Sequence, residues 1–209
     1  MLRRAARGAT LIELMIAVAI AGLTLMLGLP AFTGKLQNFQ IRTAAESVIS
    51  GLQTARSESV RRNVNVRFQF VDTLDDQCNL VATGPNWLVS RNDPNSACDQ
   101  AEVTAFVDPN VVAEPQILQK RSAREGTPNV VIAATSGGAA ATSVIFTNLG
   151  RVATGSVDTI NFTNPAGGNC EHDITPGDMR CLRIQIGTGG QVRMCDPKVT
   201  LATDSRFCQ

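Results

Sequence analysis

From residue 14 to residue 32 the chain runs through nineteen positions without a charged side chain. That is close to the roughly 20 residues that cross a bilayer as a helix. Beyond it, Phe32, Leu36, Phe39, Ala45, Val48, Ile49, Leu52 and Ala55 recur mostly at three- and four-residue steps, which predicts that the helix continues with one apolar face. The opposite face carries Lys35, Gln37, Arg42, Glu46, Gln53 and Glu58, so this second half should lie against a folded domain. A helix over residues 10–62 would be about 80 Å long at about 1.5 Å per residue. Pro30 inside it removes a backbone donor and marks a kink or a locally unwound turn, and Gly22 and Gly28 weaken the same region.

At Asn63 the period changes to two. Val64, Val66, Phe68 and Phe70 alternate with Asn65, Arg67 and Gln69, the pattern of a half-buried strand. Further strands are predicted over residues 87–89, 103–107, 116–120, 129–133, 143–147, 151–153 and 158–162. Residues 182–186 and 191–195 flank Gly187-Thr188-Gly189-Gly190 and read as a hairpin. Residues 72–99, rich in Asp, Asn and Pro, read as a loop-rich excursion closed by Cys78 with Cys98. A second polar excursion covers residues 164–177, and no internal repeat is visible.

Composition changes this picture little. Basic and acidic residues number 19 and 18. Three of the basic ones, Arg3, Arg4 and Arg7, precede the apolar run, so the remainder is slightly acidic and gives no global case for nucleic-acid binding. Those arginines predict a cytoplasmic N-terminus. Ala17-Val18-Ala19 offers only a weak cleavage site for an ordinary secretory signal. The six cysteines, Cys78, Cys98, Cys170, Cys181, Cys195 and Cys208, all follow the apolar segment and favour disulfides. No pair has C-x-x-C spacing, which weakens a zinc reading. Six cysteines allow 15 connectivities.

The residue that the pattern does not accommodate is Glu13, a lone carboxylate at the head of the apolar run. At a bilayer centre such a charge costs about 2.5 to 3.5 kcal/mol, so Glu13 needs a partner. The run Gly8, Ala9-Thr10-Leu11-Ile12-Glu13-Leu14 resembles the prepilin signature of type IV pilins and type II secretion pseudopilins. The resemblance implies that a prepilin peptidase cuts after Gly8 and methylates the new terminus at Ala9. It also implies that Glu13, fifth in the mature chain, pairs with the terminal amine of an adjacent subunit, and that Pro30 is where the helix loosens during assembly. Residues 56–62, Phe146-Thr147-Asn148-Leu149-Gly150-Arg151 and residues 181–184 and 190–197 are similar to the minor pilins FimT and FimU and the pseudopilin GspH. The stretch 72–128 carries little such likeness.

The resemblance implies an α+β fold of pilin type: a long N-terminal helix, transmembrane in its first half, packed on an antiparallel β head with disulfides. The divisions are a leader over residues 1–8, an assembly helix over 9–32, an amphipathic helix over 33–63 and a head over 64–209. The function implied is that of a minor type IV pilin that primes assembly and sits near the pilus tip. Partners are other minor and major pilins, prepilin peptidase and the inner membrane, with the head periplasmic and later at the cell surface. Alternatives are a type II secretion pseudopilin and a tip receptor for DNA.

Some FimT proteins bind DNA through a C-terminal Gly-Arg-x-Arg element. Here the aligned residues are Gly190, Gln191, Val192 and Arg193, so one arginine is missing. Arg180, Arg183, Arg193 and Lys198, with Arg206, form a local basic excess over Asp196 and Asp204 that could meet phosphates. The competing reading is a solvated strand face. No catalytic site, metal or cofactor is expected. There is no tyrosine, and the one histidine, His172, sits in a polar loop with no nucleophile beside it. Asp93-Pro94-Asn95 lacks the glycine and glutamate of a calcium loop. Residues 187–190 form a turn rather than a phosphate cradle, and Trp87 is expected to be a core anchor.

Overall fold

Helix α1 spans Leu11–Arg62 in a computed structural model that describes residues 10–84, 86–104, 115–122 and 125–209, with the side chains of 27–31 left out. The helical backbone runs through Pro30 without an unwound turn, because one missing donor removes a single rung while the ladder continues on either side. Among the described residues no helix is long and apolar enough to cross a membrane. The chain divides into two compact units, residues 1–36 and 37–209. In the first, the side chains of Leu11, Ile12, Leu14, Met15 and Ile16 are exposed.

In the second unit α1 buries Ile41, Ala45, Val48, Leu52 and Ala55, a stripe at helical spacing. It begins later than the sequence pattern suggests. Phe39 is exposed, since its level of the helix meets a polar loop: Gln40 accepts a hydrogen bond from Asn164 at 3.1 Å and Asn38 donates to the Asp178 carbonyl at 3.4 Å.

Among the described residues nine strands follow: β1 Val66–Val71, β2 Asn86–Ser90, β3 Ile117–Arg121, β4 Val131–Ser136, β5 Ala139–Ala140, β6 Ser143–Phe146, β7 Thr159–Thr163, β8 Leu182–Ile186 and β9 Val192–Cys195. They form two antiparallel sheets with no shared strand, β3-β2-β1-β6 and β5-β4-β7-β8-β9. The α+β architecture expected from the sequence is therefore present. Residues 151–153 form only an isolated bridge, Phe146 with Val152. Residues 103 and 104 are not strand, and the rest of the stretch expected at 103–107 lies outside the described residues.

Phe68, Phe70, Phe146 and Phe162 are fully buried beneath the helix, each stabilising the head by about 1.5–3 kcal/mol. Trp87, 2% exposed, is a core anchor as expected, with its ring 5.2 Å from that of Phe68. Gly51 lets the helix approach this pair, because a Cβ there would lie 2.6 Å from the Trp87 ring. Strand β1 differs from its predicted half-burial. Gln69 and Val71, on the other face, are also buried, covered by the 72–99 excursion and a second small core of Val71, Cys78, Leu88, Cys98 and Ile117. The Ser90 hydroxyl donates to Gln69 at 3.1 Å. Lys120 closes the excursion by donating to the carbonyls of Cys98, Asp99 and Gln100 at 3.0–3.1 Å.

All six cysteines are paired: Cys78–Cys98, Cys170–Cys181 and Cys195–Cys208. The first pair matches the closure read from the sequence, and the other two select one connectivity from those left open.

Candidate functional site

At the start of α1, the Thr10 hydroxyl accepts the Glu13 backbone N–H at 3.3 Å, and the Thr10 carbonyl accepts that of Leu14 at 3.2 Å. Thr10 is thus the N-cap, and its three-residue spacing to a glutamate is that of a capping box. The cap fixes where the helix begins and so places Glu13 in its first turn, where the positive end of the helix dipole favours a carboxylate. Around it the exposed surface is apolar, with Leu11, Leu14, Met15 and Val18 along one side. Gly8 and Ala9, the expected processing site, lie outside the described residues.

The four candidate DNA-contacting cations lie at the other end of the chain. Pairing of β7, β8 and β9 sets Asn161 opposite Arg183, Arg183 opposite Cys195, and Gln185 opposite Arg193. By strand alternation these residues share the face turned away from buried Ile160, Phe162 and Ile184. That face is not open. Arg183 donates to Asn161 at 2.8 Å, and Arg193 donates to the Phe207 carbonyl. The backbone of Gln209 donates to the Gln185 side chain at 3.0 Å. The tail after β9 therefore lies across the strands, pinned by Cys195–Cys208.

The remaining cations are also engaged. Arg180 pairs with buried Asp196 at 2.9 Å, Lys198 with Glu171 at 2.8 Å and Arg206 with Asp204 at 2.8 Å. The local basic excess read from the sequence counted Asp196 and Asp204 but missed Glu171, which reaches in from the preceding excursion. Duplex DNA binding by this chain should accordingly be weak. The expected result of a filter-binding salt titration is a log–log slope shallower than about 2, since each neutralised phosphate contributes about 0.9. The Arg183→Ala/Arg193→Ala variant should leave that slope unchanged.

One pair in this tail has a pH signature. The Arg206 guanidinium, followed by its backbone N–H, lowers the Asp204 carboxyl to about 2. A lowered pKa means that the stabilising contact is present above the ordinary carboxylate range and is lost as pH falls through about 2. A carboxylate NMR titration should show Asp204 still mostly ionised at pH 3, where a free aspartate with a pKa of about 3.9 is largely protonated.

The family model of the type II transport protein GspH matches residues 44–190, and that of the prokaryotic N-terminal methylation motif matches residues 3–29. The chain belongs to the GspH family. It is a member of the minor pilin and pseudopilin group, whose proteins are structural. Two crystal structures of the type IV minor pilin FimU of Pseudomonas aeruginosa strain PAO1 are similar. The P21 form has a TM-score of 0.46 at 16% identity, covering 76% of this chain and 92% of that one. The P65 form has a TM-score of 0.43 at 17% identity, covering 75% and 97%. No curated protein sequence matches the chain.

Within this GspH-family head, three stretches singled out separately in the sequence meet at one point. Arg56 of α1 donates to the Gly150 carbonyl at 3.2 Å and to the Gly189 carbonyl at 3.4 Å. One side chain thus ties the helix to the turn after β6 and to the β8–β9 hairpin, one turn from each sheet. Gly190 has φ +81, and a Cβ on it would press into the Gly150 carbonyl oxygen, so only glycine fits there.

The N-cap role of Thr10 had a readable signal, the Thr-x-x-Glu spacing. The Arg56 junction had none, because its members are far apart in the chain. Among the described residues, Cys170, His172 and Asp173 cluster within ligating distance of one another, but the Cys170 sulfur is held in a disulfide and is no thiolate ligand.

Proposed function

We propose that this chain is a minor type IV pilin that primes pilus assembly and is incorporated near the tip. The observation that carries this reading is Glu13, held by the Thr10 cap in the first turn of a helix whose other exposed side chains there are apolar. After cleavage behind Gly8, the amine of Ala9 on a neighbouring subunit would be the partner of that carboxylate. Pairing of the two desolvated charges would set the register between subunits. The methylation motif over residues 3–29 supports this processing.

Before assembly the chain is anchored in the inner membrane by the apolar run 14–32, with arginines on the cytoplasmic side and the head in the periplasm. Pro30 is the point at which the helix loosens as the subunit leaves the bilayer. Other minor and major pilins and prepilin peptidase are the partners. The closing of Arg183, Arg193, Arg180 and Lys198 by their own partners favours an assembly role over a DNA receptor.

A second reading, a type II secretion pseudopilin, is favoured by the match to the GspH family. Deleting the gene separates the two. Loss of surface pili with normal export of secreted enzymes is expected for the first reading. Loss of export with normal pili would overturn it in favour of the second.

A further inference from the structure

The end of the head at which its part of α1 begins presents two large apolar side chains to solvent. Phe39 is 65% and Ile174 105% exposed. The loop that carries Ile174 is tied to the turn of α1 that carries Phe39. Asn38 donates to the Asp178 carbonyl at 3.4 Å and accepts the Arg180 N–H at 2.7 Å, and Asn164 donates to Gln40 at 3.1 Å. Ile174 is not a loose tip either. Cys170–Cys181 closes its loop, the Cys170 N–H donates to Asp173 at 2.8 Å, and Asn169 donates to the Thr175 carbonyl at 3.0 Å. A loop braced in this way keeps its isoleucine from folding back onto the head, so cover for it must come from outside.

Charge on and beside the loop is mixed, with carboxylates in modest excess. Lys198 binds Glu171 at 2.8 Å and Arg180 binds Asp196 at 2.9 Å, and both cations stay about half exposed. Asp173 and Asp178 are exposed, and His172 lies 4.0 Å from Asp173. Such a surface suits a layer that carries both signs and is disfavoured by one of net negative charge.

We propose that this end of the head rests on the bilayer that holds α1, with Ile174 and Phe39 inserted among zwitterionic phospholipid headgroups. The contact rests on the anchored reading of the run 14–32. Helix α1 is continuous past that run, and Asn38 lies six positions beyond residue 32, about 9 Å at about 1.5 Å per residue. The headgroup layer extends about 5–8 Å beyond the hydrocarbon on each side, so a loop fastened at Asn38 hangs at the outer margin of that layer. This selects lipid as the occupant, because the bilayer is within reach of Ile174 as soon as the run is inserted and no second protein is needed. Headgroup amines meet Asp173 and Asp178, while phosphates meet the exposed parts of Arg180 and Lys198, whose apolar stems lie along the surface. The contact belongs to the subunit waiting in the membrane and is given up when the run leaves the bilayer.

None of the six native cysteines is free, so a thiol-reactive fluorophore labels only an introduced cysteine. Full-length chain is reconstituted in phosphatidylcholine vesicles containing lipid with a nitroxide near the headgroup. A label at Thr175→Cys should be quenched about threefold, as expected for a group within the interface. Leu149, 74% exposed, adjoins Val60 at Gly150, and Val60 is about 33 Å from Asn38 along α1. A label at Leu149→Cys should therefore stay unquenched. Leu23→Cys, within the apolar run, reports the anchor itself. Adding Ile174→Glu to Thr175→Cys should reduce quenching to the Leu149 level, whereas Ile174→Leu should keep it. Quenching at 23 without quenching at 175, or quenching at 175 that Ile174→Glu does not change, would overturn the head contact and leave the anchor standing. A label at 175 shielded from water without lipid quenching would assign the surface to a protein partner instead and overturn the contact. Absence of quenching at 23 would overturn the anchored reading, and the head contact with it.

Discussion

Glu13→Ala is expected to cut recovery of the chain in sheared pili at least about tenfold while leaving removal of the leader intact. The side chain stands alone among Leu11, Ile12, Leu14, Met15 and Ile16, all exposed in the isolated chain. Apolar side chains laid out in this way are suited to burial against other helices. Once they are buried, the carboxylate needs a cation at close range. Breaking a buried pair by removing one partner costs about 3–5 kcal/mol, because the other charge is left without compensation. At about 1.4 kcal/mol per factor of ten, tenfold is a conservative floor. Glu13→Gln keeps the shape and a hydrogen-bonding oxygen but not the charge, and should be nearly as poor. Immunoblotting of sheared fractions against whole cells, with processed and unprocessed forms resolved by mobility, makes the measurement. Normal recovery of Glu13→Ala would overturn the pairing argument, and accumulation of unprocessed chain would move the defect to the peptidase step.

The second large effect is expected at Gly190. Alanine there would have to keep φ +81 and push its methyl into the Gly150 carbonyl oxygen. The left-handed backbone costs a non-glycine residue about 1–2 kcal/mol, and overpacking against a fixed neighbour adds about 1–3 kcal/mol. A total near 3 kcal/mol should lower the melting temperature of the head by about 6–12 °C, at about 2–4 °C per kcal/mol for a chain of this size. Thermal unfolding followed by circular dichroism tests this. Arg56→Ala is the useful comparison. It loses two donors to carbonyls, a change of about 1–3 kcal/mol, but the turns can relax, so its shift should be the smaller. If Gly190→Ala melts with the wild type, the junction is softer than its close contacts indicate.

The parts of this fold that were legible in the sequence are those where one periodicity holds over many residues. The stripe Ala45, Val48, Leu52, Ala55 identified the packed helix because burial against a sheet demands a repeat near 3.6. The alternation through Val66, Phe68 and Phe70 identified β1 for the corresponding reason. That alternation misled on the opposite face, where Gln69 is buried although it is polar. Its cover comes from the 72–99 excursion, a segment with no periodic pattern to announce it. Strand β5 was missed because two exposed alanines carry no signal.

The candidate site divides in the same way. Glu13 was legible as an anomaly, a single charge breaking an apolar run. The basic residues near the C-terminus were legible as charges but not as partners. Arg183 is satisfied by Asn161 and Lys198 by Glu171, and no local pattern ties either pair together. Folding gives each of these side chains a partner, carboxylates for Arg180, Lys198 and Arg206 and neutral oxygens for Arg183 and Arg193, which a count of charge along the chain does not show.

The three disulfides join cysteines that are nearest neighbours in chain order, at separations of 20, 11 and 13 residues. If the head crosses the membrane as proposed, the chain presents Cys78, then Cys98, then Cys170 to an oxidant. If each newly arrived thiol reacts with the one before it, the first bond is native, and so are the second and third. Short loops also close at the smallest entropic cost, so the order of arrival and the thermodynamics of closure favour the same pairs. Oxidative maturation of this head should therefore need an oxidase but little isomerase, and proceed while α1 is still tethered and unassembled.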